Sequence, residues 1–125
     1  MVQIMRISAF NEFDKIVNRI VQERKGQNIF VVLFGNENPN TGKSWCPDCV
    51  NADPLIRHHL EKTTADSVLI EVPVGTRAEL HPRIQLKSIP TLIKWTENAE
   101  TDKRLVESEC TRDDLLSAFF TAESA

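Results

Sequence analysis

Cysteine is scarce in this chain, with three residues, and an odd number does not build the paired framework of a small secreted protein. Neither sign of charge dominates: 15 basic and 18 acidic residues, well mixed, leave a net charge of −3. There is no basic stripe to follow phosphates and no run of like charge to form a tail, so no nucleic-acid partner is expected. Long apolar runs are missing as well. None approaches the length that crosses a bilayer. The first residues, Met-Val-Gln-Ile-Met-Arg-Ile-Ser, have no apolar core of the signal-peptide kind. The expectation is a cytoplasmic protein with no membrane partner. Repeats, low-complexity tracts and interdomain linkers are also lacking.

What is present has ordinary bulk properties. Over 125 residues, 41% are hydrophobic and 26% charged. That suits one domain, 1–125, long enough to bury a core and too short for two.

Local patterns then give the elements. Residues 9–24 carry Phe10, Phe13, Ile16, Val17, Ile20 and Val21 at helical spacing, with Ser8 as the expected N-cap and Gly26 just past the end. Ile29 to Phe34 is a continuous apolar run that predicts a central strand buried on both faces. Gly35 to Ser44 is a polar, turn-rich loop. A second helix is expected from about Cys46, with Pro47 in its first turn, Asp48 against the dipole, and a kink at Pro54. Val50, Leu55, Ile56 and Leu60 give it a buried side. Strands follow at 67–74, 91–95 and 103–107, with a short helix broken at Pro82 expected over 76–86. The last helix is expected from Thr111 as N-cap, with Asp113 and Asp114 in its first turn. Residues 2–7 add an edge strand. Strands alternating with helices predict an α/β fold, a central mixed sheet of 4–5 strands with helices on both faces.

Trp45-Cys46-Pro47-Asp48-Cys49 carries the chemistry. A Cys-x-x-Cys pair can be half of a zinc site or a dithiol that closes and opens a small disulfide ring. At a helix N-terminus, Cys46 would face free N–H groups and the positive dipole end, which favours a redox-active thiolate. His58-His59 completes a Cys₂His₂ set on paper, but all four groups would have to turn inward from one helix. No metal is expected. His81 reads as a surface residue. Gly42-Lys43-Ser44 lacks the earlier glycine of a phosphate-binding loop. Cys110 reads as a small buried thiol.

Several separated features together resemble the thioredoxin-fold oxidoreductases. They are the buried strand Val31-Val32-Leu33-Phe34, Trp45 before the first cysteine, Pro54 five residues after the second, and Ser88-Ile89-Pro90-Thr91 in the manner of the cis-proline segment. The pentapeptide itself, the long Gly35–Ser44 loop and Leu-Val-Glu-Ser-Glu-Cys at 105–110 are similar to the small thioredoxin-related proteins called thioredoxin domain-containing protein 17. The resemblance implies a cytosolic disulfide reductase, a monomer with no cofactor beyond a Cys46–Cys49 disulfide. Its electrons would come from NADPH through thioredoxin reductase, and its substrates would be small disulfides such as cystine and selected protein disulfides.

Cys46 is then the exposed attacking thiol and Cys49, one turn inward, the resolving one. Pro47 and Asp48 tune the pair, with the Asp48 carboxylate disfavouring the Cys46 thiolate and Lys43 offsetting part of that. Trp45 shields the thiols and offers a flat apolar contact, and Ile89 and Pro90 present backbone to substrate. Two departures stand out. The family's buried Asp behind the motif falls on Leu33, which cannot take a proton, so a water or Asp48 is expected to substitute. The stretch after Gly75 is shorter than in the close family and lacks its Trp, so substrate choice can differ. The competing reading is a redox-sensing binding module with little turnover, suggested by the Gly35–Ser44 loop.

Overall fold

The apolar run of 29–34 alternates two sets of side chains, and each finds its own helix layer. In a computed structural model, which describes residues 2–63, 66–74, 82–96, 98 and 102–121, this run lies within β2 (Asn28–Gly35). Ile29, Val31 and Leu33 point to one side, into a core shared with Phe13, Val17 and Ile20 of α1 (Phe13–Glu23). Phe30 and Val32 point to the other, against Ala52, Ile56 and Leu60 of α2 (Pro47–Glu61) and Leu116, Phe119 and Phe120 of α3 (Asp113–Thr121). Each such side chain contributes about 1.5–3 kcal/mol when it leaves water. The period-2 pattern of a doubly covered strand is therefore what holds three helices on two faces.

Five strands make the sheet, in the order β1-β3-β2-β4-β5. They are β1 (Val2–Arg6), β2, β3 (Ser67–Val74), β4 (Thr91–Trp95) and β5 (Lys103–Val106). β3 pairs in parallel with both β1 and β2, whereas β4 runs antiparallel to β2 and β5. The sheet is thus mixed, as the sequence predicts, and residues 2–6 form its edge strand.

Three boundaries differ from the expectation. Ser8 caps nothing: a 3₁₀ turn, Phe10–Glu12, follows Ala9, and α1 begins only at Phe13. Thr111 is not an N-cap either. A second 3₁₀ turn, Glu107–Thr111, comes first, in which the Thr111 hydroxyl donates to the Ser108 carbonyl at 2.7 Å. Cys110, fully buried, anchors that turn under the sheet. The helix expected over 76–86 lies partly outside the described residues. Its described part, 82–86, is a turn followed by irregular backbone. Here Gln85 has φ +44 and the carbonyls of Arg83 and Ile84 accept from the Arg104 guanidinium, so they are satisfied without helical partners. Bidentate pairing of Arg83 with Asp102 at 2.8 Å fixes the segment against the turn between β4 and β5. α2 runs as one helix through Pro54.

Candidate active site

Cys46 is the N-cap of α2, with extended backbone at φ −88° and ψ 115°. Pro47 opens the helix at the position where its missing N–H costs nothing, and Asp48 sits in the first turn. Cys46 thus lies at the end where the helix presents its unpaired N–H groups. Its Sγ is 3.9 Å from the carbonyl oxygen of Ile89, whose peptide bond to Pro90 is cis. The structure therefore brings Cys46, Cys49 and the Ile89-Pro90 segment together. Pro47, Asp48 and Lys43 are exposed.

One expectation is corrected here. Cys46 is not an exposed thiol: 6% of the residue is accessible, against 5% for Cys49. Its backbone N–H is held by Ser44 Oγ at 3.2 Å, which draws the residue in beside Ile89. What separates the two thiols is position. Cys46 stands outside the helix and Cys49 is inside it, facing the core.

Trp45 takes the outer place, 66% exposed. Its indole packs against Gly35, where an added Cβ would come within 2.6 Å of Nε1, so a side chain there would displace the ring. Gly35 ends β2 and its carbonyl accepts from Ser44 Oγ at 2.7 Å. The Ser44 hydroxyl thus ties the end of β2 to the start of α2, with Trp45 laid across the join. The sequence reading singled out Trp45 but passed over Ser44 and Gly35. The dipeptide Ser-Trp facing a glycine at the end of a strand was the signal.

The Gly35–Ser44 loop folds as a small hairpin. Glu37 bridges Ser44, the Asn38 N–H donates to Lys43 O at 2.7 Å, and the tip turns through Gly42 at φ +72. Arg6 of β1 clamps it through Glu37 at 2.7 Å. Between this hairpin, α2 and the strands β1–β3 lies a cavity of about 260 Å³ whose lining includes Cys49, Ser44, Arg6, Arg57 and Glu71.

Burial pushes the Cys49 thiol up to about 12, while the Gly35 N–H and the Ser44 hydroxyl act in the opposite sense. Leu33, where the resemblance placed a carboxylate, is fully buried on the α1 side and so points away from the thiols. The β2 residue on the α2 face is Val32, and its register partner on β3 is Glu71. The Glu71 carboxylate pairs with Arg57 and lies 3.9 Å from Arg6. The histidines go elsewhere: His59 Nε2 is 3.0 Å from Asp113 Oδ1, and His58 packs edge-on to the His59 ring. Among the described residues no group of three or more His, Cys, Asp or Glu side chains is placed to hold a metal. His81 lies outside the described residues, as do residues 75–80, the first part of the stretch that leads to Pro90.

A mixed five-stranded sheet between α1 and α2/α3, with two free thiols one turn apart at the head of α2, defines a thioredoxin-fold dithiol protein. Chloroplastic thioredoxin z shares the fold, with a TM-score of 0.54 and 12% identity over 93% of each chain. The model of the thioredoxin domain-containing protein 17-like thioredoxin domain matches residues 6–122, and the chain belongs to that family. Thioredoxin domain-containing protein 17 of Mus musculus is 36% identical, and that of Homo sapiens 32%, each over 94% of both chains. The thioredoxin-like protein Clot of Arabidopsis thaliana is 37% identical over 53% of this chain and 56% of its own.

Proposed function

We propose that the protein is a thiol–disulfide oxidoreductase that works as a disulfide reductase. The observation that carries this is the unequal placement of two thiols on one helix end, Cys46 as N-cap and Cys49 one turn inside. Cys46 attacks a substrate disulfide, aided as thiolate by the first-turn N–H groups, and forms a mixed disulfide. Cys49 then displaces the substrate and leaves Cys46–Cys49 oxidised. Trp45 and the Ile89-Pro90 backbone line the approach of the substrate to Cys46, while Pro47 and Asp48 tune the couple. Family membership supports cystine-like small disulfides and selected protein disulfides as substrates. It equally supports NADPH and thioredoxin reductase as the source of electrons, and a cytoplasmic monomer as the working form.

The test is NADPH oxidation in the presence of thioredoxin reductase, with cystine or insulin as the substrate. Sustained consumption that scales with protein concentration is expected. Consumption that stops after one equivalent would point instead to a redox-sensing module that changes partners without turning over.

A further inference from the structure

Apart from Cys49 and Pro90, the wall of the cavity behind Cys49 has no part in the scheme above. In the resolving step the Cys49 sulfur attacks Cys46 Sγ of the mixed disulfide. The Cys46–Cys49 bond forms and the bond to the substrate sulfur breaks. The electron pair leaves on the substrate thiolate, which takes a proton from solvent. Displacement at sulfur runs in line, so the substrate occupies the side of Cys46 turned away from Cys49. The cavity is lined by Cys49 and not by Cys46. It therefore lies behind the attacking sulfur, where no substrate is needed and where the thiol proton has to go. Its volume is about 260 Å³ and its wall is mixed, apolar from Val32, Ile56 and Leu69 and charged around Arg6, Arg57 and Glu71. The charged part has room for several waters, each of which occupies roughly 30 Å³.

Resting on the reductase reading, we propose that this cavity is the proton exit of the resolving thiol, with Glu71 anchoring the water that receives the proton. Glu71 is on the sheet floor of the cavity, on the same face as Cys49, and its side chain is 13% exposed against 35% for Glu37 and 59% for Asp53. Two elements fix it: Arg57 from α2 and Arg6 from β1. A carboxylate held in this way offers lone pairs to water in one orientation. At the thiol end, Gly35 and Ser44 act against the burial that raises the Cys49 thiol.

The other charged groups around the route are consistent with it. Lys43 joins the two arginines on the cavity wall, so three cations and three carboxylates surround the space. The charges on the wall therefore balance, and both arginines are paired with carboxylates. Cys46, the remaining titratable neighbour on α2, is in a disulfide during this step. Cys110, beside Cys49 from the 3₁₀ turn, gives its proton to backbone carbonyls and cannot accept one. Asp48, the substitute expected from sequence, is not in the described lining.

A chromogenic aromatic disulfide, dithiobis(nitrobenzoate), reads the two steps of the whole protein separately. One coloured thiolate is released when Cys46 is attacked and a second when Cys49 resolves. Glu71→Gln should slow the second release by about 10-fold, below the full yield of a positioned base because water remains, and leave the first unchanged. Imidazole, a base small enough for the cavity, should restore the second release. Glu71→Asp should keep most of it, and reads the same route if the Gln variant folds poorly. Unchanged kinetics in Glu71→Gln, equal slowing of both releases, or no response to imidazole would overturn the assignment. A parent protein that releases only one thiolate would overturn this reading and the reductase reading together.

Discussion

Cys49 and Cys110 carry the same electrostatic mark and have opposite surroundings. Burial pushes each thiol from 9.0 up to about 12. For Cys110 nothing relieves this but a backbone N–H at Leu92, and Glu109 adds to it. Its Sγ donates to the Leu105 carbonyl at 3.4 Å, which holds the proton in place. Cys49 instead meets Ser44, an N–H at Gly35 and a cavity with charged side chains in its wall. A raised thiol is therefore not in itself a mark of chemistry. On the proposed mechanism, what distinguishes Cys49 from a packing thiol is a route for its proton and a second sulfur on the same helix end.

Replacing the three cysteines one at a time gives the largest contrast. Cys46→Ser should abolish reductase turnover. Cys49→Ser should abolish it too, but should accumulate a cysteine adduct on Cys46 after exposure to cystine, visible by mass spectrometry. Cys110→Ala should keep turnover and lose only about 1 kcal/mol of stability by chemical denaturation, the scale of one small cavity in a core. An adduct on Cys110 in the Cys49→Ser protein would overturn the attacking role assigned to Cys46.

Gly35→Ala strikes the join that gives Cys49 its surroundings and leaves Cys110 alone. The new methyl would meet the Trp45 ring at 2.6 Å and Ser44 Oγ at 3.1 Å. Because Trp45 is exposed, the ring can swing out, and the fold should lose about 1 kcal/mol, the low end of overpacking. The site should suffer more, with KM for insulin raised several-fold and KM for cystine less. Equal changes for both would mean that Trp45 does not contact protein substrates.

Much of this architecture was legible beforehand, and the reasons are local. Ser67–Val74 and Thr91–Trp95 came out at their observed bounds because apolar β-formers bounded by polar turns leave one solution. The two missed caps, Ser8 and Thr111, failed for a common reason: a 3₁₀ turn precedes each helix and shifts its start, and such turns have little signal of their own. At the site, the Cys-x-x-Cys pair and the Ile89-Pro90 segment are contiguous motifs and were readable. The cavity was not, since Arg6, Glu37, Arg57 and Glu71 come from four elements and meet only through sheet order. The face that Leu33 takes was not readable for a related reason, since a strand buried on both sides gives no polar residue to fix its phase.

Alkaline titration sharpens the comparison by treating both thiols alike. Each has its folded value raised, so between 9 and about 12 the folded protein holds protons that the unfolded chain has lost. The stability this provides is complete below pH 9 and declines as pH rises towards 12. The thermal midpoint should fall across that window, and Cys110→Ala should remove part of the slope. An unchanged slope in that variant would mean that Cys110 ionises as freely folded as unfolded. Below pH 9, iodoacetamide should modify neither Cys49 nor Cys110 in the folded protein.

The smallest effect is expected at Asp48, which neighbours the reactive pair without entering the cavity. Its carboxylate is exposed in the first turn of α2, next to the N-cap thiol. In general, a carboxylate beside a redox-active dithiol disfavours the reduced couple and makes it a stronger reductant. Asp48→Asn should move the potential to a less negative value. Exposure screens the interaction to a fraction of 1.4 kcal/mol, so the shift should stay below about 30 mV, the equivalent for a two-electron couple. Equilibration against a glutathione buffer measures it directly. High salt should shrink the difference between variant and parent, because two exposed charges are coupled through water. Cys110 should show no change in its alkylation rate under denaturant-free conditions. A shift that survives high salt, or one towards a more negative potential, would mean that Asp48 acts through the helix end and not through its charge on Cys46.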